Sequence, residues 1–222
     1  MAIRNGFNFL KVKAVPKLFW SSPKPLTIRP PLISIVMLVF GLILFGLGEA
    51  LLIASGIGVS PWSVLAQGIT KMTNISIGQA TFIISVVVLM LWIPLKQIPG
   101  MGTVFNIVII SLVLDLSLLY LPQAEHLGWQ LIEGTAGVLI TGIGGGIYLI
   151  ANLGPGPRDG LMTGLQRITQ FPIAWIRSAI EVSVVILGWC LGGTVGIGTL
   201  LFAFGIGPSV ALTMFCLQRY AR

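Results

Sequence analysis

Residues 56–68 read GIGVSPWSVLAQG, and residues 152–164 read NLGPGPRDGLMTG. Laid over each other at a spacing of 96 positions, they match at Gly58 and Gly154, Pro61 and Pro157, Leu65 and Leu161, and Gly68 and Gly164. The register holds upstream, where Gly46 meets Gly142 and Gly48 meets Gly144. It holds downstream, where the GMGT string at 100–103 meets the GIGT string at 196–199. Self-similarity at one fixed spacing is the sign of a duplicated unit. Glycine, proline and threonine carry most of the matches, so shared apolar composition does not account for them.

The surrounding composition says where such a unit lives. Of 222 residues, 55% are hydrophobic and only 9% charged, and the mean hydropathy is +1.00. Soluble domains carry about a quarter charged residues, so an ordinary soluble enzyme is excluded, as are a disordered chain and a disulfide scaffold. A polytopic membrane protein remains. Apolar runs at about 31–56, 77–95, 102–121, 129–153, 173–192 and 197–218 are each near the 20 or so residues that a bilayer requires. Pro30, Pro31, Pro94, Pro99, Pro122 and Pro172 sit at their ends, where proline costs little. The expected fold is an all-α membrane protein of about six transmembrane helices, in one membrane domain at 31–218 after a basic segment at 1–30. Repeat 1 covers about 31–122 and repeat 2 about 129–218, each a span, a short loop-helix and two more spans. Three spans is an odd number, so the second copy enters from the opposite side, which makes the repeats inverted. Inverted repeats serve many transporters, and they occur also in channels and in proteins without a transport role.

Thirteen Lys and Arg face six Asp and Glu, for a net charge of +7. Positive-inside bias explains this without nucleic acid. With the N-terminus in the cytoplasm, Arg4, Lys11, Lys13, Lys17, Lys24, Arg29, Lys96, Arg158, Arg167, Arg177, Arg219 and Arg222 fall on or near the inner side, and only Lys71 falls outside. Both termini are then cytoplasmic. Cations interleaved with Phe7, Phe9, Phe19 and Trp20 suit a segment lying on an anionic leaflet; a disordered tail is the alternative. Cys190, Cys216 and the lone His126 form no CxxC or Cys/His cluster, so no metal, cofactor or Cys-His nucleophile is expected. The two cysteines fall near opposite ends of adjacent antiparallel spans, so no disulfide joins them.

Candidate ligand-binding residues come from two sources. The first is ionisable side chains inside or beside apolar runs, which are unlikely to face lipid. Glu49 and Asp115 fall in the outer part of their spans and could share a proton or bind a cation. Arg177 and Glu181 are one helical turn apart and can pair. With Arg158 and Asp159 they are expected to form one polar cluster, where a buried pair that loses one partner costs about 3–5 kcal/mol. The second source is helix starts. Gly102 with Thr103, and Gly198 with Thr199, open two spans and present N–H groups that can hold anions; tight turns needing glycine explain the same residues. Ser60 before Pro61, and Gly156 before Pro157, read as starts of the short loop-helices, surface-lying or re-entrant. Trp62, Leu65, Ile69 and Met72 share one face of the first. Gly142 with Gly146, and Gly188 with Gly192, have the spacing of close helix contacts.

GPGPRDGLM at 154–162, then Arg177 and Glu181, then LGGTVGIGT at 191–199, resemble the YczE-like bacterial membrane proteins, and more loosely the YitT type. PWSVL at 61–65 fits too, with Ser63 where an acid is expected. The resemblance implies a multi-pass protein of the bacterial inner membrane and carries over no catalytic or binding residue. Three functions compete. A small secondary transporter or permeation pathway, with a site at the repeat interface and a small molecule or ion as substrate, is favoured by the intramembrane carboxylates. A non-transport protein that supports a partner is favoured by the small size. An enzyme is disfavoured, because no Ser/His/Asp set and no HExxH exists. The bilayer is the certain partner, and a homo-oligomer stays open.

Overall fold

The computed structural model describes residues 15–220. Among these there are eight helices and no strand: α1 (Leu32–Ala54), α2 (Pro61–Thr73), α3 (Ile77–Met90), α4 (Met101–Leu118), α5 (Leu127–Ile150), α6 (Pro157–Thr169), α7 (Ile173–Cys190) and α8 (Ile197–Tyr220). Five of them, α1, α4, α5, α7 and α8, are long and apolar enough to cross a membrane. The sixth candidate is the pair α2 and α3, bent by 114°.

The expected span at 77–95 is helical only to Met90, for 14 residues. Beyond it the bonds tighten, Trp92 and Ile93 donating to carbonyls three residues back. Pro94 has no N–H to continue a helix, and it disfavours helical backbone at Ile93. Lys96 then turns left-handed at φ 51°. The expected α3 start is well made. Ser76 and Gln79 form a reciprocal capping box, each side chain meeting the other's backbone N–H at 3.0–3.1 Å.

Backbone geometry recurs at the spacing found in the sequence. Eight described residues have positive φ, and they fall into four pairs 96 positions apart: Gly56 with Asn152, Gly58 with Gly154, Asn74 with Gln170, and Lys96 with Gly192. Helices α2 and α6, α3 and α7, and α4 and α8 start at matching positions. Long-range bonds match too. Gly102 N–H donates to the Leu153 carbonyl at 2.7 Å, and Gly198 N–H donates to the Ile57 carbonyl at 2.8 Å. Lys71 Nζ reaches the Gly192 carbonyl at 2.6 Å, and the Arg167 guanidinium reaches the Lys96 carbonyl at 3.2 Å. Exchanging the two halves turns each bond into its mate.

α1 and α5 form the centre of the molecule and its most extensive helix pairing. They approach closely at glycines: a Cβ on Gly41 would meet the α5 backbone at Gly144, and one on Gly137 would meet the α1 backbone at Gly48. α4 flanks α1 and α8 flanks α5. The bent pairs interlock, α7 packing on α2 and α6 on α3. Gly142 and Gly146 face Ser209 and Thr213 of α8, as their spacing suggests. Gly188 lies against the Leu65 backbone, but Gly192 is a turn residue at φ 93° and not a helix contact.

Part of the basic N-terminal segment packs onto the protein. Trp20 is 2% exposed and sits with Ile147, Ile150 and Met214. Its carbonyl accepts the Ser34 hydroxyl at 2.7 Å, and the Ser22 carbonyl accepts the Asn152 amide at 2.8 Å. Phe19 remains exposed. Arg4, Phe7, Phe9, Lys11 and Lys13 lie outside the described residues. Cys190 and Cys216 are both free thiols.

Candidate functional site

Both short helices begin as their sequences suggest, with Ser60 and Gly156 at the N-cap and Pro61 and Pro157 first in the helix. Ser60 nonetheless makes no side-chain cap. Its hydroxyl and that of Ser63 both lie 2.7 Å from Glu49 Oε2, so Glu49 of α1 receives the start of α2. A carboxylate near a helix N-terminus is favoured by the helix dipole. Glu49 is 1% exposed, and its Oε1 has no hydrogen-bond partner among the described residues. At the start of α6, Asp159 stands in the first turn and its Oδ2 accepts the Tyr148 hydroxyl at 2.6 Å. Trp92, in the turn after α3, donates from its indole N–H to the Pro157 carbonyl at 2.9 Å and so pins α6 in place.

The second residue of α2 is Trp62 and the second residue of α6 is Arg158. They stack, the guanidinium carbon 5.1 Å from the ring centroid. Around them lies a cavity of about 460 Å³, within the usual range of small-molecule sites. Both halves line it: Phe45, Trp62, Thr81, Ser85, Asn106 and Ile110 from the first, and Tyr148, Arg158, Asp159, Arg177, Glu181, Phe202 and Ile206 among those from the second. Val15 of the N-terminal segment also reaches it. Arg177 Nε donates to Glu181 Oε1 at 2.9 Å. The Arg177 side chain is 47% exposed, so this pair stands at the rim and is not the buried pair that the sequence suggests. Arg158 makes no hydrogen bond or salt bridge with any described residue. Asp159 and Glu181 are the carboxylates that line the cavity with it.

Four of the ten sequence candidates therefore share one cavity: Arg158, Asp159, Arg177 and Glu181. Glu49 stands behind it. Asp115 belongs elsewhere. Its carboxylate accepts the Ser76 hydroxyl at 2.5 Å and the Gly78 N–H at 2.7 Å, fastening α4 to the start of α3. Gly102, Thr103 and Gly198 join the halves, while Thr199 bonds within its own turn. Besides the two glycine bonds above, Thr103 Oγ1 accepts the Gly100 N–H at 3.1 Å and donates to the Pro155 carbonyl at 2.7 Å. Thr199 Oγ1 accepts the Gly196 N–H at 3.2 Å. Trp62, Thr81, Ser85, Asn106 and Tyr148 are cavity residues that the sequence reading did not single out as a site. Trp62 and Thr81 could have been found, because they stand 96 positions before Arg158 and Arg177.

A family model described as a family of unknown function, DUF6198, matches residues 32–215. The chain belongs to this family. The matched range takes in every helix that lines the cavity and leaves out the N-terminal segment. The chain is 41% identical to an uncharacterized protein of Haemophilus influenzae, over 94% of this chain and 95% of that one. It is 30% identical to the uncharacterized membrane protein YczE of Bacillus subtilis, over 81% and 88%. It is 28% identical to the uncharacterized protein YyaS of the same organism, over 72% and 82%. No solved structure matches. The YczE-like resemblance read from the PRDG and GIGT strings thus holds across most of the chain.

Proposed function

We propose that this protein is a small secondary transporter or permeation pathway of the bacterial inner membrane, with its ligand site in the cavity between the two halves. One observation carries the reading: the starts of two short helices from different halves meet inside the molecule at Trp62 and Arg158, beside a cavity lined by both. Discontinuous helices whose N-termini converge at a repeat interface are the usual way a transporter builds a ligand site. Matched bonds that exchange with the halves support a pseudo-two-fold axis, and on the reading of three spans per unit that axis lies in the membrane plane. On this reading α2 and α6 are re-entrant, both termini are cytoplasmic and Lys71 faces outward. The partners are the bilayer and a small solute, and the protein is not an enzyme.

The alternative is a non-transport protein that supports a partner or pairs with its own copy. α7 favours it, because Trp175, Val182, Ile186 and Trp189 leave much of that helix uncovered by the rest of the chain. Uptake and efflux by purified protein in liposomes, over a panel of small ions and metabolites, decides between them. Transport requires a flux that Arg158→Gln abolishes. A silent panel, with wild-type and variant alike, leaves the partner role.

A further inference from the structure

We infer that the cavity takes an amphipathic monoanion, an apolar body ending in a single carboxylate or similar head, held by Arg158. The inference rests on reading this cavity as the ligand site and adds the chemical class. Each carboxylate near Arg158 has at least one partner, and the one buried oxygen without any, Oε1 of Glu49, belongs to a residue that does not line the cavity. Asp159 has the Tyr148 hydroxyl, Glu181 has Arg177, and Glu49 has the Ser60 and Ser63 hydroxyls. Arg158 has none among the described residues, and it lines the cavity. A guanidinium carries five N–H donors in one plane. The guanidinium carbon of Arg158 lies over the Trp62 ring, and none of its N–H groups has a hydrogen-bond acceptor among the described residues. The unmet capacity in the cavity is therefore a positively charged, planar fork, which a carboxylate fills with two parallel bonds. An ammonium would meet Arg158 as a like charge and would find the two lining carboxylates, Asp159 and Glu181, already bonded to Tyr148 and Arg177.

The rest of the site restricts the anion. Asp159 and Glu181 line the same cavity as Arg158, so a second negative charge on the ligand is opposed. Phe45, Ile110, Leu149, Phe202, Ile206 and Met214 present apolar surface. A small, strongly hydrated anion would gain Arg158 but would lose its remaining water against that wall with no apolar body to offset the loss. A hydrocarbon or aromatic body gains by burial there.

The test is saturable binding of radiolabelled octanoate to the full-length protein in phosphatidylcholine nanodiscs. Unlabelled octanoate should displace it, while octylamine and inorganic phosphate should not. Arg158→Gln should weaken binding at least about tenfold, the scale of a lost charge-assisted pair, with Arg158→Lys in between. Nanodiscs containing phosphatidylglycerol separate two sources of the same head-group charge: displacement there assigns the site to a lipid phosphodiester, and its absence assigns it to a water-borne acid. Octylamine competing as well as octanoate would overturn the inference, as would Arg158→Gln binding like the parent. The competition arm uses only the parent protein, so it decides even if the variant does not fold. Binding is measured without a gradient. Octanoate binding without liposome flux removes the transport reading and leaves the ligand class, while cation flux without octanoate binding does the reverse.

Discussion

Arg158 lies over the face of Trp62 at 5.1 Å, and the two residues hold equivalent positions in the two halves of the chain. The correspondence at 96 positions thus pairs a cation in one half with its aromatic acceptor in the other. Cation–π contacts contribute about 0.5–2 kcal/mol, more when water is excluded. A double-mutant cycle of Trp62→Leu with Arg158→Met, read by thermal unfolding in detergent, should return a coupling of that size. Additive losses would mean that the contact adds nothing beyond packing.

Asp115 holds two donors at the start of α3. Asp115→Ala leaves the Ser76 hydroxyl and the Gly78 N–H without their acceptor, at a cost of about 1–3 kcal/mol for the buried Gly78 N–H and less for the half-buried hydroxyl. Asp115→Asn keeps one acceptor oxygen and should lose less. Faster amide exchange at Gly78 and Gln79 in Asp115→Ala, with octanoate binding retained, is the expected pattern. Loss of binding with unchanged exchange would give Asp115 a place in the ligand site.

A Cβ on Gly160 would fall inside the Trp92 indole, which is itself fixed by its bond to Pro157. Gly160→Ala should therefore destabilise by about 1–3 kcal/mol, the range for overpacking. Gly128, in the first turn of α5, has nothing within 4 Å of its Cβ position. Gly128→Ala should be neutral or stabilising by up to about 1 kcal/mol. Equal melting of the two variants would show that Trp92 yields.

Arg177 and Glu181 are joined but open, with side chains 47% and 21% exposed. An exposed pair at this spacing is worth about 0.3–0.5 kcal/mol. Arg177→Ala, Glu181→Ala and the double variant should all melt close to the parent. A coupling of several kcal/mol would place the pair in a water-free environment.

Orientation is testable by impermeant thiol labelling in intact cells, in a background lacking Cys190 and Cys216. Lys71→Cys and Glu125→Cys should react from outside, and Lys96→Cys and Arg219→Cys should not. Reaction at Lys96→Cys would reverse the assignment made from the cation distribution.

The helices were legible because their causes are local. Apolar run length set α1, α4, α5, α7 and α8 to within a few residues, and Ser60-Pro61 and Gly156-Pro157 marked the starts of α2 and α6 where they occur. The spacing of 96 read from glycine and proline includes one of the four left-handed pairs, Gly58 with Gly154, and the structure adds the other three. Trp20 was misread because a basic, aromatic-bearing segment has the same composition whether it meets lipid or a protein groove.

The sequence by itself determined the membrane-protein class, the helix set and the internal correspondence, since hydropathy, proline and glycine act over a few neighbouring residues. It could not decide which polar groups share a space. Glu49 and Asp115 look alike in sequence, each an acid in an apolar run, yet one receives the start of α2 and the other fastens α3. Arg158 and Trp62 are far apart in the chain, and nothing local distinguishes a paired arginine from an unpaired one. Only the interlocking of α2 with α7 and α6 with α3 brought the two helix starts together. That contact depends on packing between segments about a hundred residues apart, and no local pattern encodes it.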